Sequence, residues 1–388
     1  MALYVISSRN IHASPHRTSI YVLEDMLEAA CDARLIAPVA RNVTSFLDKR
    51  NLNLPLNKFS TKLISKSIGL YKSLDDIPKS SSDEAEILFL IGMDGADLEL
   101  LSCLKEWREK FDLVISLIYD AWLINAFPRF TAQIDHLFVP IVDLIAPLKQ
   151  QFSIPVSYWP HAANVLEQGS CNLERSIDIA SYGRIPTEYH TRLFELSTKA
   201  SSDLFYYRQI PETAQLYPEE PYTSRRFDYQ HRGLLNKVLA HSKISLAFDF
   251  TYTIKGAIAL PNYQEHPSYI YRKPVLALRW FEGLAAGATI VGKRPPTPEV
   301  DQLLDWEDAT IELPDDVESG IDIILALLQD KDRLRAIHHR NYWHTLKRHD
   351  HRWRIKAAFE QLNLPIPPGL KTQLAQIEKM CSQAEAVM

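Results

Sequence analysis

The segment Arg279–Val291 combines a carboxylate, two glycines and a β-branched run at a spacing that could serve a ligand. It reads RWFEGLAAGATIV, with Glu282 near the start of a predicted helix and Gly287 at its end. A carboxylate there can accept hydrogen bonds from two vicinal hydroxyls, such as those of a ribose. The glycine permits a left-handed helix cap and a close approach of a ligand or another backbone. The alternative is an ordinary joint between a helix and a strand, because short motifs often occur by chance.

The elements that must position this segment alternate between strands and helices throughout the chain. The predicted strands lie at 3–7, around Ile36, and at 87–91, 113–118, 136–139 and 156–159 in the first half, and at 176–182, 203–207, 244–248 and 289–291 in the second. The predicted helices between them lie at 18–30, 98–107, 143–150, 187–199, 227–240 and 321–328. This alternation predicts parallel strand pairing. We therefore expect an α/β chain with two Rossmann-like domains.

Composition excludes several classes of protein. A chain of 388 residues favours two domains, and a net charge of -5 gives no basic footprint, so we expect no nucleic-acid partner. The four cysteines are widely spaced, which favours a reducing cytoplasm over a disulfide framework or a metal site. The start of the chain lacks a secretory pattern, and no apolar run reaches the roughly 18 residues of a spanning helix. Neither GxGxxG, a Walker A motif nor GxSxG occurs.

Three pieces of the sequence occur in an order that is typical of one enzyme family. Tyr158–Asn164 reads YWPHAAN, Ile177–Arg184 reads IDIASYGR, and Arg279–Gly287 follows later in the chain. Together they resemble GT-B glycosyltransferases, most closely the spore-maturation CgeB-like group of the family-4-type enzymes. The resemblance implies two Rossmann-like domains that face each other across a cleft, with C-terminal helices that cross back. It implies an acceptor-side domain at 1–160, a nucleotide-sugar domain at 161–345, and C-terminal helices and a tail at 346–388.

The resemblance also implies roles for charged residues. Glu282 matches the second of a pair of glutamates, the one that holds the donor ribose, while Pro274 stands at the position of the first. Arg184 matches an arginine that follows the first strand of the donor domain, and its planar fork can hold two phosphate oxygens. The lysine that the family places after this arginine is absent. Lys243 or Arg279 is then expected to supply the second positive charge.

Further donor contacts are expected along the backbone of the second domain. Gly183 precedes the arginine of the motif, and His161 lies at the junction that touches the nucleotide sugar in the family. Backbone amides of Gly287, Ala288 and Thr289 are candidates for binding phosphate. A plain left-handed helix cap is the alternative for these three residues.

The implied activity is the transfer of a sugar from a nucleoside diphosphate sugar to a hydroxyl of a carbohydrate or small-molecule acceptor, without a metal or another cofactor. Family precedent favours retention at the anomeric carbon. His16, Asp94 and Asp120 are the acceptor-side candidates, and one of them would act as general base if the reaction inverts. The alternatives are a catalytically degenerate binding or scaffold protein, suggested by Pro274, and a nucleotide-sugar epimerase.

The segment 338–354 concentrates basic and histidine side chains. It holds five of the 13 histidines and five of the 43 lysines and arginines. We expect a solvated helical face here. The alternatives are a tryptophan-bearing basic surface that contacts the inner face of an anionic membrane, and a metal site.

Overall fold

The computed structural model describes residues 1–9, 17–38, 84–122, 124–183, 185–208, 224–248 and 276–387. They form two compact units. The first comprises Met1–Trp159 with the N-terminal part of the helix Ser224–Ala240, and the second comprises the chain from Pro160 onwards with the rest of that helix. Each unit is built around one parallel sheet, so each is Rossmann-like.

The sheet of the first unit contains six described strands, all parallel. They are β1 (Ala2–Ile6), β2 (Arg34–Ile36), β3 (Glu86–Gly92), β4 (Leu113–Ile118), β5 (His136–Val139) and β6 (Val156–Tyr158). Their order across the sheet is β2-β1-β3-β4-β5-β6. The central strands β3 and β4 are apolar and almost wholly buried. Their apolar runs, interrupted in β4 by Ser116, are typical of parallel strands covered on both faces.

The first unit contains three α-helices and several short 3-10 helices within the described residues, and one expected α-helix takes the 3-10 form. The α-helices are α1 (Thr18–Cys31), α2 (Trp107–Lys110) and α3 (Ile145–Phe152), with 3-10 helices at Gly95–Cys103, Ile124–Ala126, Arg129–Gln133 and Val142–Leu144. An α-helix was expected over 98–107, but most of this segment is 3-10. Leu98, Leu101 and Leu104 are all buried. Their spacing matches the three residues per turn of a 3-10 helix, so this geometry buries all three leucines on one side.

The sheet of the second unit has five described strands, also parallel. They are β7 (Ile177–Ser181), β8 (Tyr206–Arg208), β9 (Ser242–Phe248), β10 (Thr289–Lys293) and β11 (Ile311–Glu312). The order is β11-β10-β9-β7-β8. In both units the first strand lies between the second and the third, so the winding direction reverses beside it. Ligands of such sheets bind beyond the carboxyl ends of the strands at this switch point.

Helices cover both faces of the second sheet. They are α4 (Val165–Gln168), α5 (Thr187–Ser197), α6 (Ser224–Ala240), α7 (Leu278–Ala285), α8 (Pro298–Leu303), α9 (Val317–Gln329), α10 (Lys331–Arg348), α11 (His351–Gln361) and α12 (Pro368–Glu385). One face packs Ile244 and Leu246 of β9 against α5 and α9. On the other, α7 contributes Trp280 and Leu284 to a core that Leu346 of α10 completes.

Candidate functional site

The carboxyl end of β7 is joined to the first turn of α7. Beyond the strand, the Tyr182 hydroxyl donates a 2.7 Å hydrogen bond to the Arg279 carbonyl oxygen. Gly183 follows with a φ of 74°, and a Cβ placed there would lie 3.2 Å from Cζ of Arg279. The Arg279 guanidinium therefore lies against an exposed, left-handed glycine at the switch point of the sheet. A side chain at this position would be strained and would press on the guanidinium.

Glu282 lies one turn further along α7 and is only 3% exposed. Its Oε1 is 2.5 Å from Nη1 of Arg232, on the neighbouring helix α6. Burial, together with the adjacent Glu282 carboxylate, raises the pKa of Tyr182 well above its ordinary value. Tyr182 is therefore a neutral hydroxyl, whereas Glu282 and Arg232 form a buried pair of opposite charges.

Two buried histidines of the second unit are neutral, and one of them lies near Arg232. Burial lowers the pKa of His161 to about 3, and the charge of Arg354 acts in the same direction. Burial also lowers the pKa of His351 well below its ordinary value, with smaller contributions from His161, Arg354 and Arg232. The short bridge between Ala163 and Asp350 brings the two histidine-bearing segments together. Both rings are thus neutral beside positive charges: His351 lies near Arg232, and His161 lies near Arg354 and His351.

Lys243 lies at the opposite edge of the same sheet. It is the second residue of β9, and its Nζ is 2.5 Å from Oδ1 of Asp178, the second residue of β7. Parallel strands place these residues at the amino edge, whereas Gly183 lies beyond the carboxyl edge. The structure does not bring Lys243 together with Arg279 and Glu282, so we do not carry it into the proposed site.

Gly287, Ala288 and Thr289 also lie at the amino edge, where α7 ends and β10 begins. The Gly287 amide donates to the Leu284 carbonyl oxygen and the Ala288 amide to that of Gly283, each over 2.9 Å. Gly287 has a φ of 70°, so the left-handed cap that its position predicts is present. Thr289 is fully buried. Because the two amides already close the helix end, we do not assign them to phosphate. Arg184, the remaining donor-side candidate, lies outside the described residues.

Two of the acceptor-side candidates, Asp94 and Asp120, lie on neighbouring loops of the first unit. Asp94 caps the 3-10 helix after β3 by accepting a 2.8 Å hydrogen bond from the Ala96 amide. Asp120 follows β4, and its amide donates to the Met93 carbonyl oxygen over 2.6 Å. The structure therefore brings the Asp94 and Asp120 segments together at the carboxyl edge of the first sheet. His16 lies outside the described residues.

Two buried ion pairs of the first unit were not predicted from the sequence. Arg17 makes a two-pronged contact to Asp97, whose Oδ2 also accepts from the Met93 amide. Beyond β1, Glu24 accepts from Ser7 over 2.5 Å and from Nη2 of Arg9 over 2.7 Å. Burial raises the pKa of Glu24 to about 7, although Arg9 opposes the shift. Both pairs lie near the switch point of the first sheet.

The basic segment 338–354 is not a solvated face, and that prediction was wrong. His338, His349 and His351 are each no more than 5% exposed. His338 donates from Nε2 to the Lys243 carbonyl oxygen, and His349 donates to that of Leu303. These rings satisfy backbone carbonyls inside the second unit, so the segment is a polar part of its core.

Metal ligands and membrane-spanning helices were searched for in the described parts of the chain. No three His, Cys, Asp or Glu side chains are grouped there as they would be around a metal ion. None of the helices described is long and apolar enough to cross a membrane.

The chain is similar to one known protein family over part of its length. Residues 223–360 match a family model described as glycosyl transferase-like. That range, just over a third of the chain, contains Arg232, Arg279, Glu282 and His351. No curated protein sequence matches the chain.

Several solved structures are similar to the chain at low sequence identity. HepE from Anabaena, solved with UDP and glucose, is 8% identical over 94% of this chain and 99% of its own, with a TM-score of 0.49. TarM is 10% identical over 72% of this chain, with a TM-score of 0.44, and the chain spans only 54% of its length. A point mutant of TarM from S. aureus, solved with Fondaparinux, alpha-GlcNAc-glycerol and UDP, is 10% identical over 71% of this chain and 55% of its own, with a TM-score of 0.44. Because the identities and TM-scores are low, we base no conclusion on these likenesses.

Proposed function

We propose that the protein is a glycosyltransferase whose second unit binds a nucleoside diphosphate sugar. The observation that carries the proposal is the buried pair of Glu282 and Arg232, with Arg279 against Gly183, at the switch point of a parallel sheet. The two helices that carry these charged residues, α6 and α7, fall within the segment that matches the glycosyl transferase-like model. The CgeB-like assignment rests on the sequence resemblance alone.

Each residue of this group has a role in the proposal. Glu282 accepts hydrogen bonds from the ribose hydroxyls, because a carboxylate offers several lone pairs to two vicinal donors. Gly183 has no side chain and lets the diphosphate approach the end of β7. Arg279 faces the diphosphate, and Arg184 remains a sequence-based candidate for a second contact. Guanidinium groups suit this role because they bind two phosphate oxygens at once and stay charged.

The proposed chemistry is metal-independent transfer with retention. The bond between the anomeric carbon and the diphosphate oxygen breaks, and a bond from the acceptor oxygen to that carbon forms. The acceptor proton passes to the departing phosphate, whose negative charge the arginines stabilise. On this route no separate general base is needed. Asp94 and Asp120 are then proposed to orient a carbohydrate or small-molecule acceptor by hydrogen bonding.

A thermal-shift screen tests this proposal. The full chain is melted with UDP, GDP, ADP, dTDP and CMP and with their sugars, with and without magnesium. A ligand that binds only the folded protein raises the melting temperature. The expected result is a shift with one diphosphate that does not depend on magnesium, followed by transfer of its sugar to an acceptor with the anomeric configuration kept. No shift with any nucleotide contradicts the proposal.

A binding protein without turnover is the second candidate. It is favoured by Pro274, which stands where the resembled family has a glutamate. Tight nucleotide binding without transfer across many acceptors supports this candidate. Release of a rearranged sugar without any acceptor would instead identify an epimerase.

A further inference from the structure

Arg232 is a charged residue of the second unit to which the sequence motifs assign no role. Its Nη1 lies 2.5 Å from Oε1 of Glu282, and the two side chains are only 14% and 4% exposed. The contact joins the helices α6 and α7, which are far apart in sequence. Within the described residues, Nε of Arg232 makes no hydrogen bond.

Stability alone does not account for this ion pair. The neighbours of Glu282 on α7 are Trp280, Phe281 and Leu284, all fully buried in an apolar core. Replacing a buried ion pair by apolar side chains is often neutral or stabilising, because both charges lose their hydration on burial. A carboxylate in this apolar core therefore suggests that its oxygens bind a ligand. Such binding requires a partner that keeps the carboxylate ionised and oriented.

We propose that Arg232 is the positioning residue of the site and fixes the Glu282 carboxylate for the ribose hydroxyls of the donor. This role rests on the proposed function. The guanidinium occupies one carboxylate oxygen and holds the group as an anion. The second oxygen and the remaining lone pairs stay available to the two ribose hydroxyls. Arg232 acts through Glu282, so its removal mimics the loss of Glu282.

The test compares ribose and deoxyribose forms of the same nucleotide. Dissociation constants of the full chain for UDP, GDP and ADP and for their 2′-deoxy analogues are measured by titration calorimetry. We expect the wild-type protein to bind one of these nucleotides about tenfold or more tightly than its 2′-deoxy analogue, as the loss of a charge-assisted hydrogen bond requires. Arg232→Met and Glu282→Gln should both lose this preference. Arg232→Lys, which keeps the charge, should restore part of it.

The double variant separates positioning from an independent contact. If Arg232 acts through Glu282, then Arg232→Met in the Glu282→Gln background lowers ribose preference no further. The matched control is Arg333→Met, which removes another arginine of the second unit from a carboxylate, Asp308, at 2.9 Å. The control should keep the full preference. Melting temperatures without ligand show that each variant is folded, and Arg232→Lys provides the result if Arg232→Met does not fold.

The outcomes distinguish this inference from the proposed function. A wild-type protein that prefers the ribose form, with a preference that survives Arg232→Met, overturns the role of Arg232 and leaves the donor site intact. Additive losses in the double variant overturn it in the same way, because they indicate a separate contact to the ligand. A wild-type protein that binds no nucleotide contradicts the proposed function and this inference together.

Discussion

Arg175 is a buried arginine whose contacts within the described residues are backbone carbonyls at the ends of α6 and α7. Its Nη1 donates to the carbonyl oxygens of Leu239 and Ser242, and its Nη2 donates to that of Ala286 over 2.8 Å. A Cβ on Gly287 would lie 2.9 Å from the same Nη2, so the guanidinium fills the space against the helix cap. Arg175→Met keeps an unbranched apolar stem but removes the guanidinium and with it every donor.

The expected loss of stability is about 2–4 kcal/mol. Hydrogen bonds from a charged donor contribute about 1.5–3 kcal/mol each, and three carbonyls lose their partner. The guanidinium also loses hydration on burial, and this loss lowers the pKa of Arg175 to about 10. That cost disappears in the methionine variant, which brings the net effect well below the sum of the three bonds.

Chemical denaturation of both proteins, followed by far-ultraviolet circular dichroism and tryptophan fluorescence, measures the difference. The matched control is Arg333→Met, since Arg333 is largely exposed and its pair with Asp308 is worth about 0–1 kcal/mol. The reasoning predicts a clearly larger loss for Arg175→Met. Equal losses in the two variants would refute it, because they would mean that the buried carbonyls do not depend on the guanidinium.

Three other variants test the assignments of two carboxylates and a lysine. Glu282→Gln should weaken binding of the preferred nucleoside diphosphate by about tenfold or more, because the ribose loses a charged acceptor; calorimetry that gives an unchanged affinity would count against the ribose contact. Lys243→Met should leave that affinity unchanged and cost less than about 1 kcal/mol, because its ion pair with Asp178 is partly exposed; lost binding would return Lys243 to the site. Burial raises the pKa of Glu24 from 4.5 to about 7, so the folded protein binds this proton more tightly than the unfolded chain does. The unfolding free energy of the wild type should therefore fall relative to that of Glu24→Gln by about 3 kcal/mol as the pH rises through this range; a difference that does not vary with pH would contradict this.

The main strands were predictable because each is marked by a continuous run of apolar residues. Apolar runs such as 87–91 and 244–248 fall within the observed strands β3 and β9. The helix 18–30 was recognised from apolar residues at helical spacing, and the structure extends it by one residue to Cys31. The 3-10 geometry of Gly95–Cys103 was missed, because the same leucines also fit an α-helical pattern. Short elements such as the strand Ile311–Glu312 and the helix Pro298–Leu303 were missed because they offer too few residues for a periodic pattern.

The candidate site was predictable only in part. Glu282, Arg279 and Gly183 were named from the sequence, and the structure brings them together beyond one strand. Arg232 was missed because its partner Glu282 lies in a distant segment, and no local pattern links them. Lys243 could have been placed correctly, since it precedes the apolar run at 244–248 and must lie at the amino edge of a parallel sheet.

The buried histidines were missed for a different reason. A run of histidine and basic residues is typical of a solvated helix, and the sequence contains no sign of the carbonyl groups that His338 and His349 satisfy. Those acceptors belong to Lys243 and Leu303, which only the tertiary structure brings near. Burial of such rings depends on partners that come from other elements, so composition alone predicts the opposite environment.

Hydrogen–deuterium exchange with and without the nucleoside diphosphate found in the thermal-shift screen tests the central claim most directly, because it locates the ligand. We expect slower exchange at Tyr182 and Gly183 and in the first turn of Leu278–Ala285. We expect no change at Ser242 and Lys243 or at the amides of 287–289, which lie at the opposite edge of the sheet. Protection confined to that opposite edge, or to the first unit, would contradict the assignment of the donor site to Glu282 and Arg232.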